Sequence, residues 1–355
     1  MSNLEHKKSA LLCFITVFLA INLVSPCFSA ETWHLSEGDK WEKLTEDDGN
    51  EYLLDVADIK RKIAKGKVKP AAEALEKLKK KYPELAGPDL EKFIEAEILF
   101  AKKKYIKASR KYEEFLDKWQ ESPFYESALE RQYTIASAFI KGKKRRVLGI
   151  FSLSAFEEAD NIMHDIVQRD EDAPIAKRAL VTLAEGYKQQ REFMDAYLVW
   201  EEIRSRWAQD KQIGKESLYQ MAESLHLAYK GPKFDDTTLL SAKTYYENFK
   251  ANYPMDVEKY DIDAKIKFID EQMAAKQYHI AQYYNRADLP EAANLYYQHV
   301  EDKWPATTAA KFANDRIEDV KAGKKNAGEP KTSQRKLFDT ACLFLDNWFG
   351  LSALE

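Results

Sequence analysis

The stretch Ala242-Lys-Thr-Tyr-Tyr-Glu-Asn-Phe-Lys-Ala-Asn-Tyr-Pro254 carries the pattern on which the fold prediction depends. The small Ala242 is followed at intervals of four, three and four residues by Tyr246, Phe249 and Tyr253. Such spacings place all four side chains on one face of an α-helix. Pro254, directly after the last aromatic residue, ends that helix. The stretch therefore predicts an amphipathic helix whose small residue allows a neighbouring helix to approach closely.

The same pattern recurs along the chain, which indicates a helical repeat. Its copies begin at Ala71, Ala108, Ala159, Ala196, Ala242 and Ala293. The copy at Ala159 is the weakest, because Asp170 stands where the other copies have an aromatic residue. The copies are spaced more widely than the roughly 34 residues of a tetratricopeptide repeat, so insertions are predicted, and residues 142–151 and 231–237 are the candidates.

A second motif, Ala-x-x-large, precedes most copies and predicts a first helix in each repeat unit. Its members are Ala96 with Leu99, Ala136 with Phe139, Ala184 with Tyr187, Ala222 with Leu225, and Ala281 with Tyr284. One helical hairpin cannot cover its own apolar face, whereas stacked hairpins can. We therefore predict an all-α, right-handed solenoid of about six tetratricopeptide-like hairpins over residues 51–322, with the first helices lining a concave wall.

The composition of the 355 residues narrows the function classes. Charged residues make up 32%, and the low Gly and Pro counts of 12 and 11 disfavour a β fold with many turns. The formal net charge of -4 argues against nucleic-acid binding. The sequence contains no Gly-rich phosphate loop, no Gly-x-Ser-x-Gly and no His-Glu-x-x-His. We therefore expect no catalytic activity, no cofactor and no metal site.

The first 30 residues have the pattern of a secretory signal peptide. Lys7 and Lys8 precede an apolar run over residues 10–24, and small residues follow. The run is too short for a membrane span but suits the hydrophobic region of a signal peptide. We predict that residues 1–30 direct export and that residues 31–50 form an N-terminal extension.

Cys27 is the candidate lipidation site within this segment. A bacterial lipoprotein carries its modified cysteine after a Leu-small-small motif, and here Leu23 and Ser25 precede Cys27. Pro26 immediately before the cysteine departs from that motif. Ordinary cleavage near Ser29 or Ala30 is the competing interpretation, so the sequence leaves open whether the exported protein is anchored by a lipid or free in the periplasm.

Two further segments stand apart from the repeats. Residues 323–335 read as a polar linker, and residues 336–352 as an amphipathic C-terminal helix that caps the array or docks on a partner. The insertion 142–151 and its flanking Lys141 place five basic residues beside Leu148, Ile150 and Phe151. It is interpreted either as a contact for acidic lipid head groups or a partner, or as a loop that packs on the solenoid.

Three stretches carry a resemblance to a known family. They are Tyr105-Ile-Lys-Ala-Ser-Arg-Lys-Tyr-Glu-Glu-Phe-Leu, the stretch 242–254 quoted above, and the run from Asp263 through His279-Ile-Ala-Gln-Tyr-Tyr284 to Trp304-Pro305. Over roughly residues 89–320 the chain resembles the BamD-type subunit of the outer-membrane β-barrel assembly machine. The resemblance implies a non-catalytic protein at the periplasmic face of the outer membrane. It would dock on a barrel-forming assembly protein and help to receive unfolded barrel substrates.

The alternative is a general periplasmic tetratricopeptide scaffold for cell-envelope or pilus assembly. Both interpretations place a peptide or partner site on the concave wall. The helix register assigns eight residues to that wall: Phe93, Glu97, Phe100, Glu130, Tyr133, Arg178, Glu185 and Lys188. Mixed aromatic and charged side chains suit an extended peptide, with apolar pockets for its side chains and polar groups for its backbone.

Overall fold

The computed structural model describes residues 33–35, 41–43, 51–83, 86–147, 151–171 and 173–321. Thirteen α-helices, one short 3₁₀ helix and four three-residue strands lie within these ranges. The helices run from Glu51 to Lys321 and pack in successive pairs. The predicted all-α class and the hairpin arrangement are therefore confirmed. The chain divides into two compact units, Met1–Ala128 and Leu129–Glu355, which are described separately.

Unit 1 holds two complete helical hairpins. α1 packs against both α2 and α3, and α3 packs against α4, so the first helices of the two hairpins lie side by side. The helices of this unit are α1 (Glu51–Ala64), α2 (Val68–Lys81), α3 (Pro88–Ala101) and α4 (Tyr105–Lys118), followed by α5 (Tyr125–Ile140), which continues into unit 2.

Unit 2 continues the same order with eight further helices. Each helix from α6 to α13 packs against the next one, and α11 also contacts α13. These helices are α6 (Phe156–Arg169), α7 (Pro174–Gln189), α8 (Phe193–Arg206), α9 (Lys211–Leu227), α10 (Thr237–Asn252), α11 (Ile262–Arg286), α12 (Pro290–Lys303) and α13 (Thr308–Lys321).

The repeat pattern of the sequence corresponds to the buried faces of the second helices, α2, α4, α6, α8, α10 and α12. In all six copies the small residue and the large residues four and seven positions later are buried. In α10, Ala242, Tyr246 and Phe249 are fully inaccessible to solvent. The alanines of the first-helix motif, such as Ala96 and Ala222, are fully buried as well. Small residues at these places let the paired helices approach closely, as predicted.

The aromatic residue at the fourth position of the pattern has a different place from the one expected. It is the residue that directly follows the last residue of the helix. Of the five copies that have an aromatic residue at this position, four are half-buried there and one, Trp304, is buried. Its backbone N–H donates to the carbonyl of the preceding apolar position, as Tyr253 does to Phe249 at 2.8 Å. Of the four positions that the spacing places on one helix face, three therefore lie in the core and the fourth ends the helix.

The turns inside four hairpins share one backbone conformation. Each turn has three residues, and the middle one has a positive φ, with Gly66 at 72°, Lys103 at 57°, Arg191 at 63° and Asp288 at 59°. Only Gly66 adopts this left-handed conformation without steric cost. The other three residues are held there by the helices on both sides, so these turns store strain that the packing offsets.

Two antiparallel β-hairpins interrupt the helical order. Trp33–Leu35 pairs with Trp41–Lys43 in the predicted N-terminal extension, and Arg145–Val147 pairs with Phe151–Leu153 in the predicted insertion. The predicted signal peptide with Cys27, the linker 323–335 and the C-terminal helix 336–352 lie outside the described residues, as do Leu148 and Ile150 of the insertion.

Candidate functional site

In unit 2 the first helices of successive hairpins contact one another through polar and aromatic side chains. Contacts run from the second half of α5 to α7, from α7 to α9 and from α9 to α11. We call the side chains that make these contacts the first-helix face. Because second helices alternate with first helices along the chain, this face is built from residues 30 to 50 positions apart in sequence.

At one end of the face, α5 and α7 are joined by Glu130, Tyr133 and Arg178. The Arg178 guanidinium donates to both oxygens of Glu130, at 2.7 and 3.3 Å, and lies 4.4 Å from the centre of the Tyr133 ring. The Tyr133 hydroxyl is 3.0 Å from the Thr182 hydroxyl. Burial acts to raise the pKa of Tyr133, but the Thr182 hydrogen bond and the nearby guanidinium together lower it.

Further along, an open cleft of about 340 Å³ is lined by residues of α7, of α9, of the turn before α11 and of the first turn of α11. Two aromatic rings, Tyr219 and Tyr260, lie 4.7 Å apart and form part of its wall. The remaining lining residues are charged: Lys188, Glu223, Lys259, Asp261 and Lys265. Ligand sites are usually concave and mostly apolar with a few convergent polar groups, and this cleft has the convergent groups but mostly charged walls.

Glu223 is the centre of this cleft, because two lysines share its carboxylate. The Lys188 ammonium donates to Oε2, and the Lys265 ammonium lies 3.7 Å from Oε1. The Tyr219 hydroxyl also donates to Oε1, at 2.7 Å. The Glu223 side chain is only 7% exposed and that of Lys265 only 6%, so this is a buried charge cluster and not a surface ion pair.

The pKa shifts in the cluster follow from burial and from the excess of positive charge. Burial acts to raise the pKa of the Glu223 carboxyl, but the Lys188 and Lys265 ammoniums together hold it below its ordinary value. Burial lowers the pKa of Lys265, and the neighbouring Lys188 ammonium adds to that effect while Glu223 opposes it. Burial is thus the main reason that the pKa of Lys265 is lowered, and the carboxylates of Glu223 and Asp261 oppose it only in part.

One helical turn beyond Glu223, His226 extends the polar contacts into the core between α9 and α11. It is fully buried, and its Nε2 lies 2.8 Å from the side-chain oxygen of Gln272. Burial lowers the pKa of His226 to about 4. The ring is therefore neutral at ordinary pH, and it links the two helices through the Gln272 hydrogen bond.

The structure places the eight residues predicted for the concave wall in different surroundings. Glu130, Tyr133, Arg178 and Lys188 lie on the first-helix face of unit 2, and Glu185 is exposed on α7. Phe93 and Glu97 in unit 1 are buried, at 0% and 2% exposure, which contradicts their assignment to an open wall. Phe100 is half-buried, with its ring 5.4 Å from that of Tyr105.

Phe93 and Glu97 are interior residues because the neighbouring hairpin elements cover them. The Phe93 ring stacks on Phe124 at 5.2 Å and lies 5.7 Å from Phe115. The Glu97 carboxylate accepts a hydrogen bond of 2.6 Å from the buried Tyr112 hydroxyl. Helix register alone gives the direction of a side chain but not whether another element packs over it, and this is why the two residues were misassigned.

No sequence pattern singled out Glu223, Lys265 or the two tyrosines of the cleft. A signal for Glu223 does exist, because it directly follows the first-helix alanine, as Glu97 and Glu185 do in their own hairpins. Lys265 carries no such signal. It stands in the first turn of α11 among other charged residues, and only the folded chain brings it to Glu223.

The chain matches no protein-family model and no curated protein. None of the helices in the described ranges has the length and apolar character that crossing a bilayer requires. The same ranges contain no group of three or more His, Cys, Asp or Glu side chains positioned to hold a metal ion.

Proposed function

We propose that this protein is a non-catalytic scaffold that binds other proteins through the first-helix face of unit 2. The observation that carries the proposal is that α7 contributes to two groups of polar and aromatic contacts, one with Tyr133 on α5 and one with Glu223 on α9. Extended peptides are recognised by such surfaces, because aromatic groups contact their side chains while charged and polar groups contact their backbone and termini.

The biological role that we propose is that of a BamD-type subunit. In this role the protein is exported to the periplasmic face of the outer membrane, docks on a barrel-forming assembly protein and helps to assemble and insert β-barrel outer-membrane proteins. Support comes from the quoted repeats 105–116 and 242–254 and from the long α11 that leads into the last hairpin. Barrel strands alternate apolar and polar residues and often carry aromatic ones, so they suit a mixed face of this kind.

The cellular role is tested by isolating the protein from envelope extract and measuring the intact mass of its N-terminus. We expect a barrel-type outer-membrane protein to co-purify, and an acylated Cys27 at the N-terminus would favour this role further. Recovery of an unlipidated, freely soluble periplasmic protein together with pilus or envelope components would favour the general scaffold instead.

The binding face is tested with labelled peptides copied from the strands of an outer-membrane barrel. We expect Tyr133→Ala with Arg178→Ala to weaken peptide binding at least about tenfold, since an aromatic contact and a charge-assisted contact are both lost. The matched control is Tyr245→Ala with Lys250→Ala, which removes the same kinds of group from α10, a second helix. Equal peptide affinities of the two double variants would remove the assignment of the face.

A further inference from the structure

The last helix of the described part, α13, already gives the end of the array a polar surface. On its inner side, Ala309, Ala313 and Ile317 are buried in the core of unit 2. The exposed residues on its outer side are Lys311, Asn314, Asp315 and Glu318. A terminal helix of a repeat array needs such a polar outer face for contact with water. The predicted amphipathic segment 336–352 therefore meets a polar surface at the end of the array, and its apolar face requires a different cover.

An apolar surface lies on the outer face of α12, the second helix of the hairpin before α13. Leu295 is 66% exposed there, and together with Tyr296 it lines an open depression of about 410 Å³. The other residues of the depression are polar, and they are Gln277, Gln298, His299 and Asp302. The Tyr296 ring stacks on Tyr284 at 5.3 Å, and the exposed Tyr283 packs edge-on against Tyr284. We call Tyr283, Tyr284, Leu295 and Tyr296 the α12 patch.

The chain leaves the described part near one end of this patch. The Phe312 ring on α13 lies 6.3 Å from the Tyr278 ring on α11. These two helices run in the same direction, because α12 is joined to both by short turns and is antiparallel to each. Beyond the two rings, α13 continues to Lys321 and α11 to Arg286. Lys321 therefore lies near the level of the turn between α11 and α12, close to which Tyr283 stands.

The residues after Lys321 have the length to reach and cover the patch. The linker residues 322–335 span up to about 46 Å when extended, whereas α12 is about 21 Å long. As a helix, residues 336–352 would be about 25 Å long, which matches α12. The apolar residues of this segment recur at helical spacing and include Leu337, Ala341, Cys342, Leu345 and Trp348.

We propose that residues 336–352 form a helix that packs on the α12 patch of the same chain, with Leu295 at the centre of the contact. A helix of this length is marginal in water by itself, so the segment gains its order from the contact. The contact in turn removes the exposed Leu295 and Tyr283 side chains from water. Because α12 is a second helix, the first-helix face stays open to the peptides that we propose it binds.

Disulfide trapping on the full chain tests the contact, because Cys342 lies within the segment. The variants Leu295→Cys, His299→Cys and Asp302→Cys place a thiol at successive turns of the outer face of α12. The matched control is Leu198→Cys, an exposed leucine at the same repeat position of α8. After oxidation, peptide mapping by mass spectrometry measures the fraction of chains in which the new cysteine is joined to Cys342. We expect at least about half of the chains to be joined in one or more of the α12 variants and less than about one tenth in the control.

Hydrogen exchange of the full chain, followed by mass spectrometry, tests whether the patch orders the segment. Leu295→Asp places a charge in the apolar contact, and Leu198→Asp is the matched control. Both leucines are exposed in the array, so neither aspartate disturbs its core. We expect the amides of residues 337–349 to exchange at least about tenfold faster in Leu295→Asp than in the unchanged chain, and at the unchanged rate in the control.

Three results would overturn the proposal. Disulfides that join two chains, seen as a covalent dimer, would show that the segment covers a second copy. No more disulfide to Cys342 in the three α12 variants than in Leu198→Cys would show that the segment lies elsewhere. Equal exchange rates of residues 337–349 in Leu295→Asp and Leu198→Asp would show that the α12 patch does not order the segment. Each of these results would leave the proposed peptide binding by the first-helix face standing.

Discussion

The substitution Glu223→Gln tests the buried charge cluster most directly. Glutamine has nearly the same shape as glutamate, so it fills the same space and still accepts a hydrogen bond from the Tyr219 hydroxyl. What it removes is the single negative charge between Lys188 and Lys265. The two ammoniums then remain close together without this counter-charge, and Lys265 is almost wholly inaccessible to water.

The expected cost follows from the geometry. At the separation of 3.7 Å, the attraction between Glu223 and Lys265 is about 4 kcal/mol for an effective dielectric constant of about 20. The Lys188 side chain is 29% exposed and can turn towards water, so its attraction to Glu223 adds little to the cost of the substitution. Removal of one partner of a buried ion pair costs about 3–5 kcal/mol. We expect Glu223→Gln to lower the free energy of unfolding of unit 2 by about 3 kcal/mol.

The pH dependence of this cost has a definite sign. Lys265 has a lowered pKa in the folded protein, so the unfolded chain binds more protons and stability rises with pH towards the ordinary lysine value of 10.5. Without Glu223 the pKa of Lys265 falls further, and the ammonium loses its proton at a lower pH. The deficit of the variant is therefore largest near neutral pH and shrinks as the pH rises, because a neutral Lys265 needs no counter-charge.

The assay is urea denaturation followed by circular dichroism at about pH 7 and about pH 9.5. The control is Glu185→Gln, which changes the same repeat position on α7, where the side chain is exposed, and which should alter stability by less than about 0.5 kcal/mol. If Glu223→Gln were as mild as this control, or if its cost were equal at both pH values, the account of the cluster would be refuted.

Three further predictions use the same denaturation assay. Gly186→Ala should destabilise unit 2 by about 1–3 kcal/mol, because the added methyl would lie 2.8 Å from an Ile140 side-chain atom. The control Gly214→Ala should be neutral or mildly stabilising, because its methyl would lie 3.7 Å from the nearest atom. The reverse order of the two stabilities would contradict the close approach of α7 to Ile140. Arg191→Gly should stabilise by up to about 1 kcal/mol by relieving the left-handed turn residue, and a loss of stability would show that the turn is not strained. Tyr112→Phe should destabilise unit 1 by about 1–3 kcal/mol, because the buried Glu97 carboxyl loses this hydrogen-bond donor. The control Tyr246→Phe should be close to neutral, because the Tyr246 hydroxyl, at the same repeat position, makes no hydrogen bond within the described residues. Equal losses of stability would refute the role of the hydrogen bond.

The sequence by itself determined the helical repeat. Helix faces depend on spacings of three and four residues, and these are local, so the pattern first seen in the stretch from Ala242 to Pro254 predicted the buried face of every second helix. The helix end before Pro254 was predicted for the same reason, whereas the aromatic residue itself was expected on the buried face and not at the end of the helix. That Glu130, Tyr133, Arg178 and Lys188 belong to a binding wall stays a prediction.

Only the tertiary structure decided which polar residues of the first helices are buried and what they meet. Glu97, Glu185 and Glu223 occupy the same position of the repeat. Glu97 is buried beside a tyrosine hydroxyl and Glu223 is buried beside two lysines, whereas Glu185 is exposed. The difference comes from partners far along the chain, such as Lys265, which is 42 residues from Glu223. Burial and charge pairing are properties of the neighbours that packing supplies, and no spacing within one helix encodes them.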